Sequence, residues 1–258
     1  MEKRIELTEI DKFLTYQRNF YLFGDPIQTT IGEMKFLTYK EYLMYSGYIS
    51  NISKNSLHIY YDLIEQSKKV TGRKKKKEVI EQAERLKEHS IYQIVVNNEE
   101  LLSSYIFIFS KVIGEDNIEK LFQDEETFLF NRRVFMDMNL IKEEEVSPNP
   151  EIQKTIEMSR KIKRESTKDN MSPNDIMTAI VAGTGCSFSE LREMTVFQVF
   201  SMFQRYGTIK NYDATILFST VSSEVDIVPW SASFNLFDDS SETAIKRSEF
   251  DEKTKDIF

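Results

Sequence analysis

The sequence is poor in the residues that punctuate β-rich and loop-rich chains. Of 258 residues only 8 are glycine and 5 are proline. All-β folds need more turn residues, so a mainly helical fold is expected. Cys186 is the sole cysteine, which excludes an intramolecular disulfide and a thiolate metal cage and fits a reducing compartment. His58 and His89 are the only histidines, and neither has a Cys, His or carboxylate partner at metal-ligand spacing. No metal and no cofactor is expected. An apolar run long enough to span a bilayer is missing, and the charged start "MEKRIELTEIDKF" has no signal-peptide core. These absences predict a protein of the cytoplasm with no membrane partner. A basic excess is also missing: formal net charge is −8, the opposite of a dedicated nucleic-acid binder.

Hydrophobic residues make up 40% of the chain, with 19 Phe, 12 Tyr and 10 Met, enough for a real core. Residues 1 to 37 read as short β-like runs and turns, with "FYLFG" and "MKFL" as candidate strands around the turn at Asp25–Pro26. From Thr38 onward the signals are helical. Thr38 with Glu41 forms a capping box, in which the hydroxyl accepts from the first turn and the carboxylate reaches back. "LHIYYDLIEQSKKV" continues as helix after a polar break at 51 to 56. "GRKKKKEVIEQAERLKEHS" opens with five consecutive bases, Arg73 to Lys77, then turns amphipathic. That run reads as a solvated helix end or linker, or as a phosphate-binding patch. A buried helical hairpin is predicted over 91 to 114, broken at Asn97–Asn98 and closed by Gly114. Two short helices should follow.

"KEEEVSPNPEIQ" combines acids with Pro148 and Pro150 and marks the expected boundary. The chain then divides into an N-terminal portion, 1–146, a C-terminal helical portion, 147–236, and a mobile acidic tail, 237–258. Within the second portion Ser172 precedes Pro173 and Asp175, an N-cap with proline at the first helical position. Gly183 is the expected stop. Ser187 with Glu190, and Thr195 with Gln198, are two further capping boxes, and Gly207 is expected to end the last of these helices. A separate helix should follow over "YDATILFSTV".

The array at 172 to 207 has the outline of a helix-turn-helix. A recognition helix, however, must present polar and basic side chains to bases and phosphates. "TVFQVFSMFQRYG" is instead phenylalanine-rich, and residues 171 to 207 carry a net charge of −1. Nucleic acid is therefore disfavoured as a partner. The helix is expected to sit in a core or to offer Phe197, Phe200, Met202 and Phe203 to a protein partner. No catalytic residue is assigned. Gly183–Thr184–Gly185 lacks the lysine and hydroxyl residue of a phosphate loop. The acidic pairs at 124–126, 143–145 and 238–239 sit in hydrophilic surroundings. Cys186 lies beside an expected helix start, a setting that can lower a thiol pKa, yet a structural thiol is favoured.

Three segments occur in order: "DPIQTTIGEMKFLTYKEY", "FNRRVFMDMNLIKEEEVSPNPEIQ" and "TGCSFSELREMTVFQVFSMFQRYGTIKNYDATILF", with "VDIVPW" after them. Together they resemble tail-morphogenesis proteins, the tail assembly chaperones, of phages and prophages of Gram-positive bacteria. The resemblance spans residues 21 to 230. It implies a helical, non-enzymatic protein of the host cell cytoplasm that binds the tape-measure or tail-tube protein during tail assembly. It carries over no catalytic residue. Its matching positions, among them Phe36, Leu37, Tyr42, Leu191, Thr195 and Arg205, are fold-determining. Two alternatives stay open: a structural component of the tail or baseplate, and a phage DNA-binding regulator using the helices at 172–207. Homo-oligomerisation also stays open, as does a frameshifted longer product.

Overall fold

A computed structural model describes residues 3–69, 71–143, 146–166, 171–221 and 227–237. Among them the chain is mainly α: thirteen α-helices, two 3-10 turns and one two-stranded antiparallel sheet. The first helix is the main departure from the sequence pattern. α1 (Lys3–Gln17) runs into a 3-10 turn (Arg18–Phe23), so "FYLFG" is helical. Its aromatics follow helical spacing: Tyr21 is buried and Phe20 and Phe23 face outward. Gly24 then stops the turn in the left-handed region at φ 73°, its amide bonding the Tyr21 carbonyl at 3.2 Å. Among the described residues the strands are β1 (Ile27–Thr29) and β2 (Gly32–Met34), a hairpin that pairs Ile27 with Met34 and Thr29 with Gly32. Ile27 and Met34 are its buried face.

The helices that follow begin where side chains can cap them. α2 (Tyr39–Met44) starts on the Thr38–Glu41 box. α3 (Ser46–Ser53) and α4 (Ser56–Lys69) flank a short break, where Asn55 Oδ1 accepts from the His58 amide at 2.9 Å. α5 (Arg73–Leu86) folds back on α4, with Ala83 fully buried between them and the Tyr60 hydroxyl 3.1 Å from Glu84. α6 (Ile91–Val96) and α7 (Glu99–Ile113) form the hairpin expected over 91 to 114, capped by Ser90 and Asn98 and closed by Gly114 at φ 82°. α8 (Ile118–Leu121) and α9 (Glu125–Met138) are the two helices expected next, with Asp124 capping α9.

α7 is the axis of the core. It packs against α3, α6, α8 and β2, and it buries Tyr105, Ile108 and Phe109 completely. Phe109 meets Phe135 of α9 at 5.3 Å between ring centroids, and Tyr105 meets Phe128 at 5.1 Å. One charged residue lies inside this aromatic packing. Arg132 of α9 is 6% exposed. Its guanidinium donates to the Ile52 carbonyl at 2.8 Å, the Lys54 carbonyl at 3.0 Å and the Tyr105 hydroxyl at 2.8 Å, and it pairs with Glu143. The bare carbonyls at the end of α3 thereby gain donors. α9 itself ends with Leu140 at φ 53°, and the Ile141 amide bonds back to Met136 at 2.8 Å. This is a Schellman stop with leucine where glycine is usual.

α10 (Pro150–Ser166) precedes α11 (Pro173–Thr184), which opens on the Ser172–Asp175 box with Pro173 at its first position. Gly185, at φ 75°, closes α11; Gly183 lies inside its last turn. α12 (Phe188–Glu193) opens on Ser187 with Glu190. In α13 (Val196–Ser219) Thr195 and Gln198 bond reciprocally, at 2.8 and 3.1 Å. α13 continues through Gly207, so the expected stop there and the expected separate helix over 212 to 221 are one uninterrupted element. A single interior glycine costs a helix only about 1 kcal/mol, which neighbouring turns tolerate.

Two compact units result, Met1–Tyr206 and Gly207–Phe258. The first crosses the interval expected as a boundary near 146. The Tyr39 amide bonds the Met194 carbonyl at 2.7 Å, and Tyr39 packs with Ile180, Leu191 and Val199 in one cluster. The C-terminal helices as far as Tyr206 thus share a core with α2. The tail expected over 237–258 lies, from residue 238, outside the described residues.

Replacing Arg132 with leucine should cost about 3–5 kcal/mol in urea unfolding, because buried acceptors and Glu143 lose their donor together. Arg132→Lys, which keeps the charge but cannot fan out, should fall between. Acid should act on the caps. Hydrogen bonds from Ser172 hold Asp175 below the usual carboxylate range, and those from Ser187 do the same for Glu190. A depressed folded-state pKa contributes stability that is present at neutral pH and is lost as pH falls through it. Helical circular dichroism should therefore decline on acidification below the ordinary carboxylate range.

Candidate partner-binding surfaces

The four side chains expected to meet a partner pack within the first compact unit. Phe197 is 9% exposed and sets its ring edge-on to Tyr21 at 5.4 Å. Phe200 meets Tyr39 at 6.4 Å, edge to face, and Met202 and Phe203 pack beside it on the Tyr39–Ile180–Leu191–Val199 cluster. All three are partly buried. They form no contiguous exposed stripe. Within the helix-turn-helix outline, it is the phenylalanine face of α13 that packs into this core.

The ring of Tyr21 also touches Phe36 at 5.2 Å, and its hydroxyl donates to Asp137 Oδ2 at 2.9 Å. Arg18 grips the same carboxylate with two nitrogens, the Nε at 3.0 Å. Burial, and then the Asp137 charge, push the Tyr21 hydroxyl far above its ordinary pKa, so it stays a donor. Gln198 Nε2 donates to the Leu22 carbonyl at 2.8 Å. The start of α13 and the 3-10 turn are therefore joined by a ring contact and a hydrogen bond.

α11 and α13 approach closely at one point. A Cβ on Gly183 would lie 2.2 Å from the Tyr206 ring. Gly183 is needed there for space, at an ordinary helical backbone.

Residues with reactive chemistry are occupied otherwise. Cys186 is half-buried, and its pKa is raised by desolvation and then by the Glu190 carboxylate. His89 Nδ1 lies 2.8 Å from the Arg85 carbonyl. Glu143 pairs with Arg132, Asp124 caps α9, and Glu144, Glu145, Asp238 and Asp239 lie outside the described residues. Among the described residues no group of three His, Cys, Asp or Glu could hold a metal ion, and no helix is long and apolar enough to cross a membrane.

Exposed apolar side chains concentrate elsewhere. Near the start, Tyr16, Phe20 and Phe23 form a ladder of rings, 5.3 and 6.5 Å apart, and Leu22 stands beside it. Tyr16 and Phe23 are 63% and 68% exposed. On α2 and α3, Met44 and Tyr48 are exposed, Tyr48 stacking on Phe107 at 4.3 Å. In the second unit, Ala214, Leu217 and Phe218 follow the i, i+3, i+4 spacing of one face of α13, and Val221 follows in the turn after it. Leu217 is 70%, Phe218 63% and Val221 83% exposed. A surface helix normally turns such a face inward. The sequence shows these residues as an apolar helical stretch. Their exposure depends on what packs against them, which no local pattern reveals.

Two family models match: the YomV N-terminal domain over residues 16–148 and the YomV second domain over residues 163–235. The first match ends at Pro148, within the proline-bearing stretch over 142 to 153. The chain is 30% identical over 228 residues to the SPbeta prophage-derived uncharacterized protein YomV of Bacillus subtilis (strain 168), covering 87% of this chain and 91% of that one. No solved structure matches.

Gly183→Ala should destabilise the fold by about 1–3 kcal/mol through overpacking. In a double-mutant cycle measured by thermal melts, Tyr206→Ala should recover much of that loss. An additive double mutant would place the cost elsewhere.

Proposed function

This chain belongs to the YomV family, which includes a prophage-derived protein, and on that basis we propose that it is a non-enzymatic phage tail assembly factor. In this reading it binds a helical tail protein, the tape-measure or tail-tube component, while the tail is built in the host cytoplasm. The observation that carries the reading is the exposed apolar surface of Leu217 and Phe218 at the end of α13 and of Val221 just after it. An exposed i, i+3, i+4 apolar face suits a helical client, because two such faces can bury each other. The aromatic ladder of Tyr16, Phe20 and Phe23 offers a second contact of the same chemistry. Contiguous exposed apolar surface is characteristic of interaction sites. The segments that resemble tail assembly chaperones include Leu217 and Phe218 of α13.

Co-expression with the tape-measure protein of the same phage should raise that protein's solubility and yield a co-purifying complex. Leu217→Glu with Phe218→Glu should abolish both effects while leaving the melting temperature close to wild type, since exposed substitutions change stability by about 0.5 kcal/mol or less. Failure of the wild-type chain to solubilise or co-purify with tape-measure protein would overturn the proposal. Stoichiometric recovery in mature particles by mass spectrometry would reassign the chain to the virion structure.

A further inference from the structure

The tip of the α4–α5 hairpin carries a charge of the wrong sign for this protein. Lys68 and Lys69 occupy the last turn of α4, and Arg73 to Lys77 fill the first turn and more of α5. All seven side chains are exposed. Lys68 pairs with Glu65, and Lys77 with Glu81 at 3.5 Å. The rest of the molecule is acidic, with a net charge of −8 overall.

The placement works against local stability. Lysines at the end of α4 favour the helix, but a cationic run at the start of α5 faces the positive end of the macrodipole and its own neighbours. Acidic residues there would make a better helix and an equally soluble one. Solvation alone does not account for the run. Geometry also isolates it. α5 has 14 residues, which makes the hairpin about 20 Å long, and the chain enters and leaves at the other end. That length exceeds the Debye length of about 8–10 Å at physiological ionic strength, so the acidic remainder does not cancel the field at the tip.

We infer that the hairpin tip binds the phosphate backbone of double-stranded nucleic acid without reading its sequence. Six of the seven bases are lysine, a point charge suited to phosphates, where base-edge recognition favours the bidentate fork of arginine. Consecutive bases place charge around the full turn of a helix, which fits a polyanion approached from several directions. No aromatic side chain lies in 68 to 78, so single-strand stacking has no platform. No exposed apolar side chain is present over 71 to 78 to anchor in a lipid interface. This activity is separate from tail-protein binding and uses none of its residues.

Fluorescence anisotropy of the full chain with a labelled random-sequence duplex tests it. About five charges remain after the two ion pairs, so affinity should fall roughly 500-fold between about 50 and 200 mM salt. Two unrelated duplex sequences should bind equally. The triple variant Lys74→Glu, Lys75→Glu, Lys76→Glu should lose binding at low salt. Its melting temperature should hold or rise, because the acids suit the helix start. No duplex binding by wild type at low salt would overturn the inference. So would an unchanged affinity in the folded triple variant, or tighter binding to poly-glutamate or to anionic vesicles at the same salt.

Discussion

One guanidinium holds the N-terminal part of the fold in register. Arg132 reaches from α9 to two carbonyls at the end of α3, to a hydroxyl on α7, and to Glu143 beyond the helix. A cation this deeply buried is tolerated only where its N–H groups find acceptors, and here backbone, phenol and carboxylate supply them. The aromatic packing around it fixes distance. The guanidinium fixes which turn of α9 faces which turn of α3, a selectivity that phenylalanine rings alone do not provide.

A second polar knot sits one helical turn further along α9. Asp137 receives Arg18 and Tyr21, and the Tyr21 ring lies between Phe36 and Phe197. The two knots divide the labour: Arg132 organises α3, α7 and α9, while Asp137 attaches the chain's beginning and, through Tyr21, the start of α13. That second attachment explains the phenylalanines of α13. They fill the space between the 3-10 turn, Tyr39 and α11, and the apolar side chains left exposed are those further along.

Features set by neighbours in sequence were legible in the sequence. The boxes at Thr38, Ser187 and Thr195 each involve residues three apart and form with the partner their spacing names, and Ser172 caps α11 as its place before Pro173 predicts. Gly114 closes α7 for the same local reason. Features set across the fold were not. "FYLFG" has the composition of a strand, and only its anchoring by Asp137, 116 residues away, makes it a helical turn with one ring inward. Nothing adjacent to Arg132 announces that it is buried, since Ile52 lies 80 residues earlier. Gly183 reads as a helix stop because its actual constraint, the Tyr206 ring, belongs to another helix. The exposure of Leu217, Phe218 and Val221 was hidden likewise, because an apolar helical stripe looks the same with or without a cover.

The long reach of the Asp137 knot sets an order of events on the ribosome. Arg18 and Asp137 are separated by 119 residues, and Gln198 meets Leu22 across 176. At about 5–20 residues per second, the first helix waits on the order of ten seconds for α9 to emerge, and longer for α13. Throughout that interval Tyr21 stands exposed beside Phe20 and Phe23. The nascent chain therefore presents Tyr21 before its partners are made, so translation speed over 24 to 137 sets how long that ring is open to capture.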